Sequence, residues 1–291
     1  MKKLCLLLLS TALVGWADRA WGAAVDIELA ILMDTSSSVP PSEYAIQRQA
    51  YINTFSNNFY NQFVAPLNGV TLKPGQVGTG RIAVNIFTFG TVVPSTTVVR
   101  NVGWAEIASQ ADATAFANQI AAQLSYVGGR TPIGDALQTT ADSMFNNTFD
   151  PIYSVIDISS DGQNVPTIPA GLTPRTGSNY ARCKGLTNTT CVSDPTKSIV
   201  APGGVDVINA IAILPFANQI ILQSITYGNN LSGNPNHIFP AADASVYEET
   251  LAIKLGAEIG APTAVPEPGL AFGLIGLGIF GVGKRCLSRR E

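Results

Sequence analysis

The run Ile27-Glu28-Leu29-Ala30-Ile31-Leu32-Met33 is apolar and branched, and it stops abruptly at Asp34-Thr35-Ser36-Ser37-Ser38. A segment of this composition reads as a strand buried on both faces, a situation found almost only in parallel sheets covered by helices. The turn leaving the carboxyl end of such a strand lines the crevice where open α/β sheets bind ligands. Asp34, Ser36 and Ser38 can aim their oxygens at one centre while Thr35 and Ser37 face away. Three hard oxygens without sulfur or imidazole suit Mg2+, Mn2+ or Ca2+. Taken alone, the same residues also suit the N-cap of a following helix, because Ser and Asp favour that position.

Strands and helices alternate along the rest of the chain. Pro40-Pro41-Ser42-Glu43 starts a helix running to about residue 59, with proline in its first turn and an acid at its N-terminus. A Gly/Pro-rich connection over 67–80 leads to a second strand at 81–89, and 91–99 turns back along it as an edge. Residues 111–124 form a helix with Phe116, Ile120 and Leu124 on one stripe. Gly128-Gly129-Arg130-Thr131-Pro132 opens the next helix, 133–144, whose core stripe is Ile133, Leu137 and Met144. A third parallel strand at 152–160 ends at Asp161-Gly162. A fourth strand at 210–214, a short last strand at 237–240 and a helix at 244–259 follow. The pattern predicts one α/β domain at 25–262, a single doubly wound, mostly parallel sheet flanked by helices. Within it, 163–204 is a polar Pro/Gly/Thr-rich insertion, long for a compact domain.

Both ends read as sorting segments. Met1-Lys2-Lys3, the apolar stretch 4–14 and the small residues Ala20, Gly22, Ala23 and Ala24 have the form of a secretory signal peptide over 1–24. At the other end Val265-Pro266-Glu267-Pro268-Gly269 precedes a Gly-rich apolar run and the basic cluster Lys284-Arg285-Cys286-Leu287-Ser288-Arg289-Arg290. This tripartite tail resembles the PEP-CTERM sorting signal of Gram-negative bacteria. The resemblance implies that 263–291 is a linker plus sorting segment, with a short helix at 270–283 held transiently in the inner membrane. It further implies processing by an exosortase-type enzyme and export to the cell surface or exopolysaccharide matrix. Between 25 and 266 there are 10 Lys or Arg and 17 Asp or Glu, a net charge near −7, which argues against nucleic acid as a partner. Cys5 and Cys286 lie in the sorting segments. Cys183 and Cys191 remain, and in an oxidising compartment they are expected to form one disulfide.

Beyond the first strand, two more segments supply oxygens. Thr131 stands at the head of a helix behind two glycines, where backbone can approach a ligand closely. Asp161 ends the third strand as Asp34 ends the first, and adjacency of those strands would bring both carboxylates into one crevice. Individually, Thr131 also suits an N-cap and Asp161-Gly162 a turn. Asp157, inside a strand, is expected to be paired rather than to touch a metal, and Arg130 to lie at the surface. His237 is the sole histidine, so a Ser/His/Asp triad has no other base to draw on.

The order Asp34-x-Ser36-x-Ser38, then Gly128-Gly129-Arg130-Thr131-Pro132-Ile133-Gly134-Asp135-Ala136-Leu137, then Ile156-Asp157-Ile158-Ser159-Ser160-Asp161-Gly162 resembles a von Willebrand factor type A domain. The stretch Gly233-Asn234-Pro235-Asn236-His237-Ile238-Phe239-Pro240 and its closing helix resemble a branch of secreted bacterial members. The resemblance implies a metal-ion-dependent adhesion site in which Ser36, Ser38 and Thr131 hold a divalent cation directly. Asp34 and Asp161 would act largely through water and hydrogen bonds. It also implies strand order 3-2-1-4-5-6 with an antiparallel edge. The function expected is an exported, cation-dependent binding module whose ion completes its shell with an acidic group of a protein or polysaccharide. The alternatives are a metal-assisted hydrolase using Asp161 or Asp157 as base, and a structural matrix protein with a vestigial site.

Overall fold

The computed structural model describes residues 22–92, 96–161, 178, 181, 204–213, 219–228, 230–232, 236–241 and 246–259. Residues 1–21 of the signal-peptide segment, the Cys183–Cys191 pair, nearly all of the 163–204 insertion and the sorting segment with its 270–283 helix lie outside them. The apolar run at the start becomes β1, Ala23–Asp34, buried along almost its whole length. It pairs in parallel on one side with β4, Ile82–Val92, and on the other with β7, Phe149–Ser160. Strand β8, Val207–Ile213, and the short β9, Ile238–Ala241, extend the sheet in parallel beyond β7. On the opposite flank β5, Thr96–Asn101, and β6, Ala105–Ile107, pair antiparallel with β4. The order is thus β5-β4-β1-β7-β8-β9, which is 3-2-1-4-5-6 once these strands are counted in turn, with an antiparallel edge. The fold is a doubly wound, mostly parallel α/β sheet, as the alternation of elements predicts.

Helices cover both faces because successive residues of a buried strand point to opposite sides. Ile27, Leu29, Ile31 and Met33 join a core with α1 (Pro41–Ser56), α2 (Gln110–Gln123) and the last helix, α5 (Tyr247–Ile259). Ala30 and Leu32 join the other core with α3 (Ile133–Phe145) and the short α4 (Gln219–Ile225). Each fully buried Leu or Ile contributes about 1.5–3 kcal/mol relative to exposure, so the two cores dominate the stabilisation. Ser109 caps α2 by accepting from the Asp112 amide. Ser178 donates to the Ile225 carbonyl (2.7 Å) and Ala181 is buried in the α3/α4 core, so the insertion touches the body there.

Three elements depart from the sequence reading. The 67–80 connection contains a small hairpin, β2 (Thr71–Lys73) and β3 (Gln76–Val77). Strand β6 and helix α4 were not anticipated; both are too short for hydrophobic periodicity to register. At the amino end of the sheet, Asp26 accepts from the amides of Thr79, Gly80 and Arg81 and from the Thr79 hydroxyl, which fastens the hairpin's exit to β1.

Candidate metal centre

The chain leaves β1 at Asp34 and crosses to β4 on one side, and β7 lies on the other, so the carboxyl ends of β1 and β7 flank the switch in strand order. Asp34 is fully buried there. Its Oδ1 accepts from the Ser36 amide (2.8 Å) and its Oδ2 from the Ser160 hydroxyl (2.6 Å). The Ser36 hydroxyl lies 3.0 Å from that of Ser38 and accepts from the Thr131 hydroxyl at 2.8 Å. Asp161 is buried at the end of β7, and its charge acts on Asp34. All five residues singled out from the sequence therefore meet at one edge of the sheet.

The helix-cap alternatives fail on geometry. Helix α1 begins after Pro40 and α3 after Pro132, and neither has a side-chain cap. Asp34, Ser36 and Thr131 spend their hydrogen bonds on one another instead. The loops that carry them are locked by backbone contacts. Ser37 donates its amide to the Gly129 carbonyl (2.7 Å), the Gly128 amide reaches the Thr35 carbonyl (2.8 Å) and the Thr91 amide reaches the Gly128 carbonyl (2.9 Å). Gly129 takes φ +77°, and a Cβ there would lie 2.1 Å from the Thr91 carbonyl oxygen, so only glycine permits this approach.

Several supporting residues were invisible in the sequence. Ser160 holds Asp34. Thr35 donates to the Phe89 carbonyl (2.9 Å), and the Ser37 hydroxyl accepts from the Gly129 amide (3.0 Å). Thr35 and Ser37 do face away from the centre, and they tie down its loops. Thr91 accepts from the Arg130 amide (2.8 Å), and Tyr126 donates to the Ser36 and Val39 carbonyls. The one available signal was the unbroken polar run Ser159-Ser160-Asp161 at the end of an apolar strand. Of the other candidates, Asp157 is paired with Lys254, Arg130 is exposed, and His237 precedes β9 with Nδ1 2.7 Å from Asn209 Oδ1.

Electrostatics favour a cation at this edge. Burial, and next the charge of Asp161, push the Asp34 carboxyl up to about 7, against the hydrogen bonds from Ser160 and Ser36. Two buried carboxylates side by side are a like-charge pair that a positive ion relieves. Among the described residues no three His, Cys, Asp or Glu side chains converge on one point. The donor set is therefore mostly neutral hydroxyl oxygen, suited to a hard ion and unsuited to zinc of the thiolate or imidazole kind. The residues present fit a divalent cation held by Ser36, Ser38 and Thr131, with Asp34 and Asp161 behind them.

The strand order and the two helical layers define a doubly wound, mostly parallel α/β fold. The chain belongs to the family described as "Protein of unknown function (DUF1194)", which it matches over residues 24–263. No curated protein matches it. Among solved structures it is similar to proximal thread matrix protein 1 from the mussel byssus, with TM-score 0.51 and 16% identity over 81% of this chain and 49% of that one. The chain thus spans about half the length of the mussel protein. Manganese-loaded TRAP protein of Plasmodium vivax is similar at TM-score 0.40 and 14% identity, over 81% and 74%. The vWF domain of the type V pili tip protein Mfa5 from Porphyromonas gingivalis is similar at 0.39 and 13%, over 83% and 99%. Likeness at these identities speaks to the fold alone.

Proposed function

We propose that this protein is an exported binding module that acts through a divalent cation at the β1/β7 edge. The observation that carries the reading is the meeting of the Ser36, Ser38 and Thr131 hydroxyls in front of the buried carboxylates Asp34 and Asp161. Mostly neutral direct ligands leave a bound ion electrophilic, so an acidic group from a partner can complete its shell. The partner chemistry is a Glu or Asp side chain of a protein, or a uronic-acid polysaccharide at the cell surface or in the exopolysaccharide matrix. The two terminal sorting segments support export and passage through an exosortase-type enzyme. The hydrolytic alternative loses Asp157 as a base, because that carboxyl is committed to Lys254 inside the core.

Calorimetric titration with Mn2+ and Mg2+ tests the site. Asp34→Ala is expected to abolish saturable binding while the circular dichroism spectrum stays that of the parent. Unchanged binding in a folded variant would sink the assignment.

A further inference from the structure

A second cluster of ionisable groups lies in the interior, away from the cation edge. Asp157 points from β7 into the layer of α1 and α5. There the Lys254 ammonium contacts Asp157 Oδ1 and also donates to Glu258 Oε1, one helical turn further along α5. All three side chains are fully buried. Burial raises the phenols of Tyr51 and Tyr247, whose ring centroids lie 6.2 Å apart, and the Asp157 charge raises both further. Asn209, the register partner of Asp157 on β8, hydrogen-bonds Glu258 on the other side. A lysine is almost never wholly buried unless paired. Here one ammonium faces two carboxylates, and burial pushes Glu258 up to about 7 and Asp157 upward too, with Lys254 opposing both shifts.

As an ion pair this arrangement is poor. The ammonium touches Oδ1 of Asp157, while Asp157 Oδ2 has no hydrogen-bond partner among the described residues. Buried pairs repay desolvation only when their remaining oxygens are satisfied. What the geometry does provide is an amine held against a carboxyl group, with a second carboxyl on the same amine and no water access. Those are the requirements of a condensation.

We infer that Lys254 and Asp157 join in an intramolecular amide bond, with Glu258 carrying the proton. One proton first passes from the Lys254 ammonium to the Asp157 carboxylate, giving a neutral amine beside a neutral acid. The Nζ lone pair attacks Cγ. Glu258 takes a proton from the nitrogen and returns it to the departing hydroxyl, so the N–C bond forms, a C–O bond breaks and one water leaves. Nothing is oxidised or reduced. The product is a neutral amide, with Glu258 returned to the carboxylate it began as, so the ammonium and the Asp157 carboxylate lose their charges together. The bond would fasten α5 to the middle of β7, and the inference does not depend on the cation site.

Peptide mapping of the purified full chain tests it, because trypsin does not cut at an acylated lysine. Fragment 131–175 is expected to remain joined to the fragment that begins at residue 198 and runs through Lys254, with a combined mass one water short. Glu258→Gln keeps the packing volume and is expected to leave the two fragments separate in most of the population. A folded parent protein whose fragments separate at full mass overturns the bond. Complete condensation in Glu258→Gln overturns the role of Glu258. Because the parent's own mass decides the main question, a Lys254→Met variant that fails to fold does not weaken the test.

Discussion

At the scale of single residues, the buried acids differ in what offsets their burial. Asp34 has two donors and a role for its charge. Glu28, at the middle of β1, has only the Asn147 amide among the described residues, and burial pushes its carboxyl up to about 7 from an ordinary 4.5. An acid whose pKa is higher folded than unfolded supports the fold fully below its unfolded value. That support is lost as pH rises through the folded one. Glu28→Gln, which keeps a hydrogen-bonding oxygen for Asn147, is therefore expected to flatten part of the decline in melting temperature between pH 4.5 and about 7. Melting curves in chelator check this, and an unchanged slope would show that Glu28 is not titrating in that window. The candidate site was readable because Asp34, Ser36 and Ser38 are local in sequence and their spacing alternates. Ser160 was not, since a serine before an aspartate says nothing until β1 and β7 lie side by side. Lys254 and Glu258 were equally silent. A lysine and glutamate four apart on a helix give the same signal as an ordinary solvent-exposed pair.

At the scale of elements, the long strands and helices were legible from periodicity and the short ones were not. Strand β1 carries its burial in ten consecutive residues, and α3 carries Ile133, Leu137 and Met144 on one stripe. The three residues of β6 are a strand only because β4 offers an unpaired edge. The element that matters most to the site is the Gly128-Gly129 turn, whose chemistry could be suspected from sequence but whose partner, Thr91, could not. Gly129→Ala would force a Cβ into the Thr91 carbonyl at positive φ. It is expected to destabilise the fold by about 1–3 kcal/mol and to weaken Mn2+ binding by moving Thr131. Chemical denaturation and calorimetry on the same variant measure both effects. A variant with parental Mn2+ affinity would mean that the turn does not set the position of Thr131.

At the scale of the molecule, the two cores are separated by one continuous sheet, so neither can form alone. The fragment 25–262, without the sorting segments, is expected to unfold in one transition, with fluorescence and circular dichroism midpoints coincident. Two separate midpoints would divide the body into independent units. The fold class and the order of strands were accessible because each crossover follows from alternating strands and helices. The insertion was visible only as composition, which does not say where a loop packs. The position of Lys254 has a mechanical meaning as well. Tension applied from the C-terminal side meets α5 before any strand, and a helix lying on a sheet peels away turn by turn under such a pull. If Lys254 is bonded to β7, only Leu255 to Ile259 of that helix lie beyond the join. The pull would then reach the middle of the sheet as shear between parallel strands, the direction in which hydrogen-bonded ladders must break together.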